Sequence, residues 1–151
     1  MIILSKLADY GVIVATHLAA DPLRQMSAGE LAAATRLPRA TVAKVLKALA
    51  HAGIVAGVRG ASGGYRLARA VDAVSVAEVV AAIDGEIGLT ECTSHQPGCE
   101  RADFCPTRPH WRAINDAVSA ALAAVSLAEM MSSPLRSELP GTRSLMENTA
   151  P

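Results

Sequence analysis

Three cysteines fall within fourteen residues, spaced Cys92-x6-Cys99-x5-Cys105 and followed by Pro106. Thiolates select zinc, Cu(I) and iron-sulfur clusters over harder cations, so the chemistry open to this segment is soft-metal binding. The spacing does not name the metal. Structural zinc sites use closer pairs, about two to four residues apart, and the common ferredoxin spacings are also tighter. The bland reading is three free thiols on one loop, although clustered exposed thiols are reactive. An odd count makes a poor disulfide framework and fits a reducing cytoplasm better. A tetrahedral metal needs a fourth ligand. His110, His95, Glu91 and Asp103 lie nearby, and Asp9 can arrive from another part of the fold or from another subunit. Spacing alone does not choose among them.

The elements that must position this loop follow from composition and pattern. At 151 residues the chain can bury roughly two thirds of its unfolded surface, so it needs no metal to fold and a metal site is expected to be functional. Hydrophobic residues make up 51% and aromatic residues 3%, which suits close-packed helices better than an extended β fold. The longest uncharged runs, Tyr10 to Ala20 and Ala117 to Ala128, are 11 and 12 residues, short of the roughly 18 needed to span a bilayer. Lys6 ahead of the first run imitates a secretory signal, but Asp9 and His17 argue against one.

Charge divides the chain. Residues 1–70 hold nine Lys/Arg against three acids, a net +6, and the remainder carries −6 with five arginines and eleven acids. The first half is therefore expected to meet a polyanion. Leu7, Val14, Ala15 and Leu18 share one face of a helix from about Ser5 to Ala20, ended by Asp21-Pro22. Ser27-x-x-Glu30 is a capping box opening a short helix to about Thr35. A turn at Arg36-Leu37 leads to a third helix with Pro38 in its first turn; Val42, Val45, Leu46 and Leu49 form its apolar face and Gly53 ends it. Two β-prone segments, 54–58 and 65–67, flank the glycine-rich turn Arg59 to Gly64 as a hairpin. A second capping box, Ser75-x-x-Glu78, starts a helix that stops at Asp84-Gly85. Trp111, Ile114, Val118, Leu122, Val125 and Met130 predict one helix of about 22 residues from Pro109 to Met131, on the order of 33 Å long. Residues 132–151 turn to Ser, Pro, Gly and Thr without periodicity and are expected to form a mobile tail.

Three helices and then a hairpin, with the basic face on the third helix, is the order of a winged helix-turn-helix. Its recognition helix enters the major groove while the wing reaches the neighbouring groove or backbone. Arg39, Lys44 and Lys47 can pair with phosphates or base edges, and Thr41 with either. Arg59 charges the wing, and Gly60, Ser62 and Gly63 let its backbone approach DNA. Two lysines on a polar helix face often do no more than solubilise it; the helix order, the wing and the +6 half favour DNA binding. The division expected is 1–70 for DNA binding, 71–131 for the loop and a long helix, and 132–151 for the tail.

Three segments carry a resemblance: Leu4-Ser5-Lys6-Leu7-Ala8-Asp9-Tyr10, then Val58-Arg59-Gly60-x-x-Gly63-Gly64-Tyr65-x-Leu67, then the three-cysteine loop leading into Trp111-Arg112. Over about residues 1–131 the chain resembles the IscR, NsrR and RirA family of bacterial iron-sulfur transcription regulators. The start and wing are most similar to the branch regulating the Suf cluster-assembly operon. The resemblance implies a mainly α cytoplasmic homodimer joined by the long C-terminal helix, with a winged helix in each subunit. It also implies a cluster, 2Fe-2S or 4Fe-4S, held by Cys92, Cys99 and Cys105. IscR-like members place a histidine three residues after the third cysteine, where this chain has Arg108, with His110 the nearest histidine. NsrR-like members use an aspartate from the partner's first helix, and Asp9-Tyr10 matches it, so Asp9 ranks first as fourth ligand and His110 second. Ala43 replaces the glutamate that IscR-like members use for base discrimination, so their operator does not carry over.

The function expected is a transcription regulator, a repressor, whose affinity for double-stranded DNA responds to cluster status, redox or iron supply, with half-sites roughly 34 Å apart. The rivals are a zinc-holding or thiol-redox winged-helix regulator and, from another class, a cluster carrier or electron-transfer protein. No catalytic motif appears, no membrane or small-molecule substrate is expected, and Gly60 to Gly64 lacks the lysine and following helix of a phosphate-binding loop.

Overall fold

The computed structural model describes residues 3–94, 99–101 and 103–132; His95 and residues 133–151 lie outside them. Local signals in the sequence set most element starts. Ser5 accepts a hydrogen bond from the Ala8 amide at 3.0 Å and opens α1, Lys6–Ala19. At Ser27 the capping box closes in both directions, with Ser27 donating its N–H to Glu30 at 2.7 Å and Glu30 donating its own to the serine hydroxyl at 3.2 Å, which opens α2, Ala28–Thr35. The third helix, α3, runs Arg39–His51, one residue later than expected. Pro38 stands just outside it as an extended cap with φ −59° and ψ 135°, where its missing N–H costs nothing.

The wing is an antiparallel pair, β1 (Val55–Val58) and β2 (Gly64–Leu67), in register Val55 with Leu67 and Val58 with Gly64. Its base is tied to the α1–α2 connection: Met26 donates to the Tyr65 carbonyl at 3.0 Å and Tyr65 donates back at 2.8 Å. Gly64 permits this, since a Cβ there would lie 2.7 Å from the Met26 carbonyl group. A short 3-10 turn, Val71–Ala73, precedes α4, Val76–Asp84, which the Ser75–Glu78 box opens and Gly85 at φ 85° ends. The Asp84 carboxylate accepts from the Ser5 hydroxyl at 2.7 Å, joining the end of α4 to the start of α1.

The expected single helix from Pro109 to Met131 is corrected to two, α5 (Arg108–Ala123) and α6 (Leu127–Met131). The reason is a third capping box, Ser126-x-x-Glu129, whose serine N–H donates to Glu129 at 2.7 Å. Val76 donates to the Val125 carbonyl at 2.8 Å and Leu127 to the Val74 carbonyl at 2.9 Å, so the break is pinned to the start of α4. It turns Leu127 fully into the core. The remaining α5, 16 residues, is about 24 Å long.

One core takes Val14 and Leu18 from α1, Leu31 from α2, Leu46 and Leu49 from α3, Ile54 and Leu67 from the wing, and Val79 and Leu127 from the second half. Packing therefore runs straight across residue 70. Two measurements test these assignments. Leu127→Ala is expected to cost about 2–5 kcal/mol in denaturant unfolding, because burial with little room to collapse makes such truncations costly; a loss like that of an exposed leucine would place residue 127 outside the core. Glu30, Glu78 and Glu129 are each held below the ordinary glutamate value of 4.5, first by the N–H of Ser27, Ser75 and Ser126, with Arg69 adding a 2.6 Å hydrogen bond at Glu78. Carboxyl groups depressed in the folded state contribute stability that is present above 4.5 and lost as pH falls through the folded values. Thermal melts are expected to drop below that pH, and the triple glutamine variant, which keeps the caps but cannot titrate, to drop less.

Candidate nucleic-acid interface and thiol loop

The apolar stripe of α3 is buried, and that alone decides what the helix shows to solvent. With Val42, Val45, Leu46 and Leu49 inside, Arg39, Lys44 and Lys47 are exposed and Thr41 is half-buried. Arg39 lies back toward α2, its guanidinium carbon 4.0 Å from the point where a Cβ on Gly29 would stand. Lys44, Lys47, Ala48 and His51 border an open hollow of about 650 Å³ with Ala82 of α4. His51 was missed in the sequence; its signal was its place four residues after Lys47 on the same stripe. At the wing tip Arg59, Gly60 and Ser62 are exposed. Gly60 sits at φ 123° and its carbonyl accepts from the Gly63 amide at 2.9 Å, while a Cβ on Gly63 would collide with the Val58 carbonyl. Arg66, also exposed, extends the basic wing beyond the residues expected. No Asp or Glu occurs from Leu31 to Val71. Among the described residues, Arg36, Arg39, Lys44, Lys47, Arg59 and Arg66 form no ion pair. This is a face charged for a polyanion, with no internal carboxylates to neutralise it.

The cysteine segment leaves α4 at Gly85 and reaches α5 after Thr107. It is anchored by buried Asn115, whose side-chain carbonyl accepts from the Leu89 amide at 3.0 Å. Cys92, Cys99 and Cys105 are all free and half-buried. Cys92 Sγ is 3.2 Å from the Thr90 hydroxyl and borders a cavity of about 250 Å³ with Thr93, Arg112, Asn115 and Asp116. Cys105 Sγ is 3.3 Å from the Thr107 hydroxyl, which with the Thr107 N–H pulls the thiol below its ordinary value. Hydrogen bonds to sulfur favour the thiolate, the form that binds metals. In donor chemistry the loop fits a thiolate-held centre. In arrangement, no three of His, Cys, Asp and Glu converge among the described residues. Asp9 is exposed in the first turn of α1, His110 in the first turn of α5, and Glu91 and Asp103 are exposed on the loop. None of them completes a site within one chain.

The Rrf2 family, described as iron-dependent transcriptional regulators, matches residues 4–133. The HTH-type transcriptional regulator IscR of Erwinia tasmaniensis is 38% identical over 79 residues, covering 52% of this chain and 47% of that protein. IscR of Aliivibrio salmonicida is 39% identical over 83 residues, covering 55% and 49%. The matched part thus spans about half the length of these relatives. Among solved structures, CymR, the global cysteine regulator of B. subtilis, superposes with TM-score 0.70 at 26% identity over 87% of this chain and 98% of that one. IscR of T. potens superposes with TM-score 0.66 at 24% identity, covering 86% of each chain, and shows the same fold. The family description and the curated relatives alike name transcriptional regulators. With a family match across nearly all of the described residues and a winged helix that presents its basic face outward, the chain belongs to the Rrf2 family of iron-dependent transcriptional regulators.

Proposed function

We propose that this regulator is a cytoplasmic homodimer that represses iron-sulfur cluster assembly genes, the Suf system, and responds to the state of an iron-sulfur cluster held by Cys92, Cys99 and Cys105. The observation that carries the reading is three free thiols on one loop, tied through Asn115 to α5 and through Gly85 to α4, in a chain that also carries a winged helix. The IscR relatives and the family description support it. The partner subunit's Asp9 is the fourth ligand in this reading, with His110 as the alternative. Few protein ligands leave a thiolate-held cluster open to oxygen, nitric oxide or iron shortage, and that lability is the chemistry it supplies.

The chain's own residues do the rest. Trp111 and Ile114 are exposed on α5, giving it an apolar face for a second copy. Dimerisation through α5 sets the separation of two α3 helices against half-sites about one helical turn apart. Arg39, Lys44 and Lys47 hold phosphates or base edges and Thr41 bonds to either. Arg59, Gly60, Ser62 and Gly63 bring the wing tip to the backbone. Asn115 and the Ser5–Asp84 contact connect the thiol loop to the core that carries α3.

The acidified Cys105 thiol also favours a second reading, a regulator that senses by thiol oxidation or holds zinc. One experiment separates them: an absorption spectrum with iron and sulfide assays on protein purified without oxygen, repeated in air. A brown protein with iron and sulfide in comparable amounts, bleached by air, is the expected result. Asp9→Ala is expected to weaken cluster retention while leaving thermal stability intact, whereas an unchanged spectrum excludes Asp9 as a ligand. A colourless protein holding zinc, or none, overturns the cluster and leaves the DNA-binding regulator.

A further inference from the structure

Arg36 is the one non-glycine residue with positive φ among the described residues, at φ 57° and ψ 30°. It sits in the turn of the helix-turn-helix, immediately after α2. Its amide reaches the Ala32 carbonyl, the Leu37 amide reaches the same carbonyl at 3.2 Å, and Leu37 turns in against the core. The left-handed conformation is thus imposed by the way α2 must end for α3 to follow. Glycine takes that conformation freely and asparagine nearly so, whereas a side chain with an ordinary Cβ is disfavoured there. A strained residue held in place at a working surface points to a role for its side chain.

Local structure does not supply that role. Arg36 is exposed, and no carboxylate is in ion-pair reach of it among the described residues. The nearest acid in sequence, Glu30, is engaged by Ser27 and Arg24. A cation at a helix end favours the dipole, but at an exposed site salt screens that effect, and it is the smaller of the two. Arg36 does stand at the entry to α3, three residues before Arg39, within the acid-free stretch.

We infer that Arg36 is a phosphate anchor: its guanidinium holds a DNA backbone phosphate at the edge of the groove that α3 enters, and the left-handed turn presents it there. This rests on the DNA-binding reading and adds a contact to it. Arginine suits the task because its fork can engage a phosphate through two N–H groups at once.

The test uses the full chain with Arg36→Gly, Arg36→Asn and Arg36→Lys. Binding to a labelled duplex of arbitrary sequence, which reports phosphate contacts, is measured over a range of salt alongside thermal melts. Arg36→Gly and Arg36→Asn are expected to melt no lower than the parent yet lower the slope of log affinity against log salt by about one, with severalfold weaker binding at low salt. Arg36→Lys is expected to keep the slope. An unchanged slope and affinity in the glycine and asparagine variants would overturn the inference and leave a helix-end cation. A lysine variant as weak as glycine would overturn it as well. A parent chain showing no salt-dependent DNA binding would overturn both this inference and the DNA-binding reading beneath it.

Discussion

The backbone pairing of Met26 with Tyr65 fixes the wing against the helices that precede it, and the geometry of the DNA-facing surface depends on that pairing. Two reciprocal hydrogen bonds, 3.0 and 2.8 Å, hold the base of the hairpin to the connection between α1 and α2. They need Gly64, because no side chain fits between the two backbones. With the base fixed, Leu67 and Ile54 enter the same core as Leu46 and Leu49 of α3. The tip with Arg59 and the exposed face of α3 are thereby parts of one rigid arrangement, which a reader of two adjacent DNA surfaces requires.

The second half of the chain completes this core as well as hanging a loop from it. Val79 of α4 and Leu127 of α6 are buried in the cluster that contains α3, and Asp84 joins α4 to the first residue ahead of α1. The loop between Gly85 and Thr107 therefore adjoins α4, which shares packing with α3. The loop is joined to α5 through Asn115 and to α4 at Gly85, and α4 packs in turn on α3.

Most of this fold was legible in the chain because its signals are local. Ser27-x-x-Glu30 and Ser75-x-x-Glu78 marked helix starts that the structure places at Ala28 and Val76, and the glycine-rich turn marked the wing. The same Ser-x-x-Glu motif at 126 went unread, since the apolar spacing from Trp111 to Met130 also suits one continuous helix. Tertiary contacts, the strand-like pairing of residues 75 and 126 and the burial of Leu127, act together with that local cap to break the helix. Arg36 shows a different limit, because a left-handed arginine carries no sequence signal of its own conformation. The thiols were legible as a group, but no fourth partner was, because spacing alone does not choose among Asp9, Glu91, His95, Asp103 and His110.

The acid-free segment from Leu31 to Val71 offers a basic face to DNA, centred on α3. The most direct test is the affinity of the anaerobic full chain for DNA from its own promoter region as salt is varied, beside Lys44→Ala and Lys47→Ala. Log affinity is expected to fall linearly with log salt, and each lysine variant to bind more weakly with a slope shallower by about one. Parent-like slopes and affinities in both variants would remove Lys44, Lys47 and the face of α3 that carries them from the interface.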